Sequence, residues 1–270
     1  MEKNRENSRR KFIRNAAAGT FLAAVTPGAL KAGIIEAPTI LPTGAKGAND
    51  RIRVAVLGVY GRGRGLISEI MGLADSAKVE VAALCDPDMV VLQQRAKEFK
   101  DKYGKEVTIE QDFRKTYEDK TIDAIAIASP NHWHALQTIW ACQAGKDVYV
   151  EKPATHNIYE GRKMIEAAYK YNRIVQNGVQ LRSSVAIREA VKHLEEGLIG
   201  RVYMSRGLVF RWRPDIGDQG ISNVPEGLDY DLWTGPAPLR PFSRNLVHYN
   251  WHWHWDYGNG DVGNQGIHET

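Results

Sequence analysis

From residue 52 onward, short apolar runs alternate with segments in which apolar residues recur every three or four positions. Residues 52–57 (Ile-Arg-Val-Ala-Val-Leu) are a β-branched run bounded by Gly58 and predict a buried parallel strand. Helical spacing follows over 66–73, then a second apolar run over 79–84. The alternation continues, predicting helices over 90–102, 133–144 and 159–171, and strands over 107–110, 123–128, 147–150 and 174–176. This order predicts an α/β fold: a doubly wound parallel-sheet Rossmann domain over 51–179, with its ligand outside the carboxyl ends of the strands. Near residue 180 the pattern changes. Residues 186–196 predict a helix ended by Gly197 and Gly200, and 201–213 alternates like a long strand. Turn-forming residues from Pro225 to Pro241 follow, so 180–270 is expected to begin an α+β domain with an open, mostly antiparallel sheet.

Composition agrees with a globular chain. Of 270 residues, 43% are hydrophobic and 25% charged, which excludes a disordered or collagen-like chain. No run of 18 apolar residues occurs, so no membrane span is expected. Cys85 and Cys142 are too few for a disulfide framework and read as small core residues. The net charge of +4 is concentrated in residues 1–32, which hold seven basic and two acidic side chains; the remainder has 29 bases against 30 acids. A body so near neutrality gives no electrostatic reason to bind nucleic acid. The leader places Arg9-Arg10-Lys11-Phe12 before a moderately apolar stretch over 16–30 and resembles a twin-arginine export signal. Export in the folded state to the periplasm through the twin-arginine machinery is therefore expected, with a Pro- and Gly-containing linker over 33–50.

The first strand leads into Gly58-Val-Tyr-Gly-Arg-Gly63. Glycines here let backbone amides approach a pyrophosphate at a helix N-terminus, so Gly58, Gly61, Arg62 and Gly63 are candidate cofactor contacts. The middle glycine of the usual G-x-G-x-x-G spacing is Tyr60, with Gly61 beside it. Asp86 ends the second strand 23 residues past Gly63, where a carboxylate can accept hydrogen bonds from ribose hydroxyls. That acid favours NAD over NADP, although Arg62 and Arg64 keep NADP open.

Two later strand ends carry more chemistry: Ser129-Pro-Asn-His-Trp-His134 and Glu151-Lys-Pro153. Together with the glycine turn, Ala144-Gly-Lys-Asp-Val-Tyr-Val-Glu-Lys-Pro153 and Gln176-Asn-Gly-Val-Gln-Leu-Arg-Ser183, they make the chain resemble the Gfo/Idh/MocA oxidoreductases, in their exported branch. The resemblance implies that Lys152 lies beside the nicotinamide and the substrate hydroxyl, with Glu151 and a cis Lys152–Pro153 bond shaping its loop. An ammonium in that position can donate to a substrate oxygen and take its proton. Pro130, Asn131, His134 and Gln180 join the candidate cofactor contacts; Asn131 can alternatively cap the helix that follows. The family pairs an Asp with a His four residues on; here the pair reads Asn264 and His268. His268 is thus the second candidate for proton transfer, and Asn264 can orient substrate without supplying charge.

The most unusual stretch is His248-Tyr-Asn-Trp-His-Trp-His-Trp-Asp-Tyr257. If extended, it puts Trp251, Trp253 and Trp255 on one face and His252, His254 and Asp256 on the other. That suits a sugar-binding wall, with His252, Trp253 and Arg182 as candidate substrate contacts, or a buried core. Two-residue spacing is not diagnostic of a metal site, and no metal is expected. The pattern stops while entering a helix, so the sequence is expected to be a piece of a longer protein, and the homo-oligomeric state is left open. The reading is an exported NAD(P)-dependent oxidoreductase acting on a sugar or polyol-like hydroxyl, with a redox-neutral cycle on a retained cofactor as one form. Its alternatives are an NAD-assisted glycosidase or epimerase, and a non-catalytic sugar- or nucleotide-binding module on the same fold.

Overall fold

A computed structural model describes residues 50–210 and 212–269. The basic leader 1–32 and the linker up to residue 49 lie outside the described residues.

Six parallel strands form one sheet in the order β3-β2-β1-β4-β5-β6. They are β1 Ile52–Leu57, β2 Val79–Cys85, β3 Thr108–Glu110, β4 Ala124–Ile127, β5 Asp147–Glu151 and β6 Val175–Gly178. Helices connect them: α1 Arg62–Gly72, α2 Met89–Tyr103, α3 Arg114–Glu118, α4 Asn131–Gln143 and α5 Ile158–Tyr171. The strand order reverses between β1 and β4, which opens a crevice at their carboxyl ends. Apolar runs on both faces produce two core clusters. One gathers Leu57, Ile125, Ile127 and Val150 against α4 and α5; the other gathers Val56, Leu84 and Leu92 on the opposite side. The helices start where the sequence supplies caps: Asp88 accepts from the amides of Val90 and Val91, and Asn157 from that of Glu160. Lys146, 3% exposed, donates to the carbonyls of Asp119 and Ile122 and so ties the α4–β5 turn to the α3–β4 turn.

Past β6 the chain makes a 3₁₀ turn, Gln180–Ser183, then α6 Val185–Glu195 and α7 Tyr230–Thr234. A third cluster centres on Trp233, Phe242, Leu246, Trp251 and Tyr257. It docks on the sheet domain through α4: Gly235 passes so close that a Cβ there would lie 1.9 Å from Cζ2 of Trp133. It also docks on the β2–α2 loop, where Asp88 bridges Leu228, the Asp229 amide donates to the Pro87 carbonyl, and Gln111 donates to the carbonyls of Pro87 and Gly227.

One expectation is corrected, and one open alternative is decided. Residues 201–210 and 212–213 form no strand, and Tyr203, Phe210 and Trp212 are 87%, 88% and 90% exposed. A strand is stable only when a neighbour pairs its backbone, and among the described residues 179–269 no strand is present to do so. The aromatic stretch is not extended. Residues Asn250–Trp253 form a 3₁₀ turn, with the Trp251 amide donating to the Leu246 carbonyl and the Tyr257 amide to the His254 carbonyl. The tryptophans therefore do not share a face: Trp251 is 8% exposed and Trp255 is 91% exposed.

Candidate active site

A cleft of about 400 Å³ opens at the β1/β4 switch point, between the strand ends and the third cluster. Its floor is the glycine turn. Gly58 has φ +78°, and a Cβ there would lie 2.7 Å from the Ala128 carbonyl carbon and the Ser129 nitrogen. Only glycine lets β1 end so close to the end of β4. At Gly63 a Cβ would fall 1.8 Å from the Gly58 oxygen, so this glycine seats α1 against the strand and does not line the cleft. At Gly61, the N-cap of α1, a Cβ would meet nothing within 4 Å, and no side chain caps the helix or puts an acid in its first turn. Open space above uncapped helix amides fits a dinucleotide pyrophosphate.

The β2 end anchors this turn. Asp86, 5% exposed, accepts from the Val59 amide at 2.8 Å and the Asp88 amide at 3.1 Å. Burial pushes its carboxyl up to about 6, against the opposing pull of those amides. Asp86 thus shapes the glycine turn as well as lining the cleft. Tyr60, at the position of the missing glycine, does not fill the turn. Its ring stacks on His248 with centroids 4.6 Å apart, and His248 Nε2 lies 3.0 Å from Asp88 Oδ2.

The β5 end carries Glu151 and the candidate proton-transfer residue Lys152. Glu151, 3% exposed, accepts from Arg62 Nε at 2.7 Å and from the Tyr149 hydroxyl at 3.2 Å. Arg62 also bonds Glu69, so it braces the start of α1 against β5. The Lys152–Pro153 bond is cis, as expected from the sequence. Lys152 Nζ donates to Asn264 O at 2.5 Å and Oδ1 at 2.9 Å, and burial lowers its pKa. Asn264 stands on a π-helical turn, Val262–Gly266, which runs into the short helix α8, Ile267–Glu269, so that His268 lines the same cleft.

Pro130, Asn131, His134 and Gln180 also line the cleft. Asn131 is not the helix cap: Pro130 holds that position, and Asn131 Nδ2 donates to Asn259 Oδ1 at 2.9 Å. His134, 1% exposed, is committed to the protein at both ring nitrogens, 2.7 Å from the carbonyls of Ser129 and Pro153. It ties the β4 loop to the β5 loop. His132 does the equivalent for the third cluster, lying between the carbonyls of Trp233 and Tyr257, and burial pushes its pKa down to about 4.

His252 lines the cleft, whereas Arg182 and Trp253 do not. Arg182 is exposed on the 3₁₀ turn after β6. Trp253 lies under the Arg213 guanidinium at 5.3 Å, and Arg213 pairs with Asp261 through two 2.9 Å bonds. Asp256 pairs with Arg240, and no metal-binding group of His, Cys, Asp and Glu assembles among the described residues. Sequence reasoning missed Gln111 and Trp233, and it marked the stretch holding His248 and Tyr249 without naming those two as contacts; all four line the cleft. They arrive from distant segments, and the one local signal was the bulky Tyr60 at a glycine position, which required a partner.

Two family models match the chain. An oxidoreductase family model with an NAD-binding Rossmann fold covers residues 52–179, and the family's C-terminal alpha/beta domain covers residues 183–270. Levoglucosan dehydrogenase from Pseudarthrobacter phenanthrenivorans is 35% identical over 105 residues, covering 38% of this chain and 27% of the relative. The scyllo-inositol 2-dehydrogenase (NAD(+)) from Bacillus subtilis is 28% identical over 161 residues, covering 58% of this chain and 44% of the relative. The chain thus aligns with less than half the length of these relatives. Among solved structures, an NAD-binding protein from Listeria innocua shares the fold, with a TM-score of 0.50 and 22% identity over 56% of this chain and 40% of that one.

Proposed function

The chain belongs to the Gfo/Idh/MocA family of NAD-binding Rossmann-fold oxidoreductases, and from that premise we propose that it moves a hydride between NAD and a hydroxyl of a sugar or cyclic polyol. The observation that carries this reading is the meeting, in one cleft, of the open glycine turn with Lys152 and His268. The α1 amides and Gly58 to Gly61 would hold the pyrophosphate, and Asp86 the adenosine ribose. Asp86 favours NAD over NADP, since a buried carboxylate repels a 2′-phosphate. When bound, the nicotinamide supplies the hydride acceptor.

The protein's own part is the proton. Lys152 has three N–H donors, two of which go to Asn264. The third is available to a substrate oxygen and can stabilise developing alkoxide charge. Burial lowers the Lys152 pKa and brings the amine nearer the range in which it can accept the hydroxyl proton. His268 is the partner that passes that proton on. The names of the levoglucosan and inositol relatives support a polyhydroxylated ring as substrate.

The proposal extends to export. A twin-arginine leader delivers folded protein with its cofactor inside, away from the cytoplasmic nucleotide pool. A retained cofactor must then be restored by a second substrate in the same cleft, which makes the cycle redox-neutral. The test is to purify the full-length protein without added nucleotide, denature it and separate the released nucleotides by chromatography. Near-stoichiometric NAD(H) is expected; an empty protein that also fails to bind added NAD overturns the proposal.

A further inference from the structure

Oxidation of one hydroxyl releases one proton, and Lys152 with His268 provides for it. The cleft holds another imidazole that this chemistry does not use. His252 sits on the 3₁₀ turn Asn250–Trp253 and lines the cleft with Lys152. Its ring is packed among three aromatics: stacked on Trp251 with centroids 3.7 Å apart and 19° between planes, with Tyr249 at 4.7 Å and Trp253 at 5.6 Å. Its Nδ1 lies 2.5 Å from the Tyr249 carbonyl, and a carbonyl can only accept, so Nδ1 carries the ring proton. Nε2 then keeps its lone pair, and no hydrogen bond engages it among the described residues. Burial and the nearby charges of Lys152 and Arg213 further disfavour the imidazolium. The Arg213–Asp261 pair holds the turn in place through Trp253. This is a neutral, oriented base in a site that already has what hydroxyl oxidation requires.

We propose that His252 is a second general base that acts on carbon, so that the cleft enolises the keto form of its carbohydrate. The proposal rests on the hydroxyl-oxidation reading, which supplies the ketone. Lys152 hydrogen-bonds the ketone oxygen. His252 Nε2 takes the proton from the carbon next to the carbonyl; that C–H pair becomes the C=C bond of an enediol, and the carbonyl π pair moves to oxygen, which takes a proton from Lys152. Reversal returns both protons, and because the His252 proton exchanges with solvent while the enediol lasts, the carbon-bound hydrogen exchanges with solvent. The step is redox-neutral and needs no co-reactant. It gives a redox-neutral cycle a purpose, since a carbon with no acidic hydrogen becomes exchangeable while its neighbour is a ketone.

The probe is scyllo-inosose, the ketone of the inositol named in a relative. The full chain would be incubated with it in D2O, and deuterium at the two carbons flanking the carbonyl followed by NMR. Hydride transfer from NADH to the same ketone would be followed by absorbance. Exchange at least about a hundredfold above a buffer control is expected, and His252→Gln is expected to lower the ratio of exchange to hydride transfer by about 10²-fold or more, the size general base catalysis confers. Hydride transfer without exchange, or a ratio unchanged by His252→Gln, overturns the proposal and leaves the oxidoreductase reading standing. Exchange without hydride transfer supports the base and overturns that reading. The absence of both overturns both.

Discussion

Lys152 follows the carboxyl end of β5, one strand over from the β1/β4 switch point, and its ammonium is half-buried against a neutral amide. Lys152→Met is expected to slow hydride transfer by about 10²–10⁴-fold, the range for loss of a positioned acid–base group. Single-turnover measurement of nicotinamide absorbance checks it. His132 and Asp86 make opposite pH predictions. The unfolded His132 takes a proton near 6.5 but the folded one only near about 4, so its contribution to stability is full above 6.5 and is lost as pH falls through about 4. Folded Asp86 keeps its proton up to about 6, against 3.8 unfolded, so its contribution is full below 3.8 and is lost as pH rises through about 6. Each is worth about 3 kcal/mol from the size of its shift. Relative to wild type, His132→Asn should therefore become less stable as pH rises from 4 to 6, and Asp86→Asn more stable, as urea unfolding at each pH would show. The residues legible in the sequence were those that a local motif marks: the turn glycines, Asp86, Glu151 and Lys152. His134 was legible as part of the site but not in its role, because the two carbonyls that hold it belong to loops on different strands.

At the scale of elements, all six strands and the helices α1, α2, α4 and α5 follow from the alternation of apolar runs with helical periodicity, to within a few residues, whereas the five-residue helix α3 is too short to show that periodicity and is not predicted. What failed was 201–213, where alternation is only a licence to pair, and pairing is a long-range event. Its aromatic side chains are exposed, so limited chymotrypsin digestion should cut first between Tyr203 and Trp212, while the parallel sheet stays intact. For the aromatic stretch the sequence left an extended wall and a buried core both open, and local turn hydrogen bonds and the burial of Trp251 decide against the extended form. The contact between α7 and α4 provides a sharper test. Gly235 has φ +50° and abuts the Trp133 ring, so Gly235→Ala combines a left-handed backbone cost with overpacking. A loss of about 2–4 kcal/mol is expected from those two terms, read as a lowered urea midpoint.

At the scale of the whole molecule, both thiols report on opening. Cys85 and Cys142 are buried and unpaired with each other, and burial raises both pKa values, so neither is nucleophilic while the fold is closed. A thiol reagent should modify neither in native protein and both in urea; fast native labelling of Cys85, which borders the cleft, would show that the cleft breathes. The loop between β2 and α2 has a consequence of another kind. Its residues serve two masters: Asp86 shapes the glycine turn, while Pro87 and Asp88 receive Asp229, Leu228 and His248 from the other side. The two matched halves are therefore not interchangeable modules. A chimera that grafts residues 183–270 onto a relative's Rossmann half inherits a mismatched seam unless Tyr60, residues 86–88 and Gln111 travel with the graft. For recombination between relatives, the heritable unit is this seam, and the boundary near residue 180 is only where the chain happens to cross it.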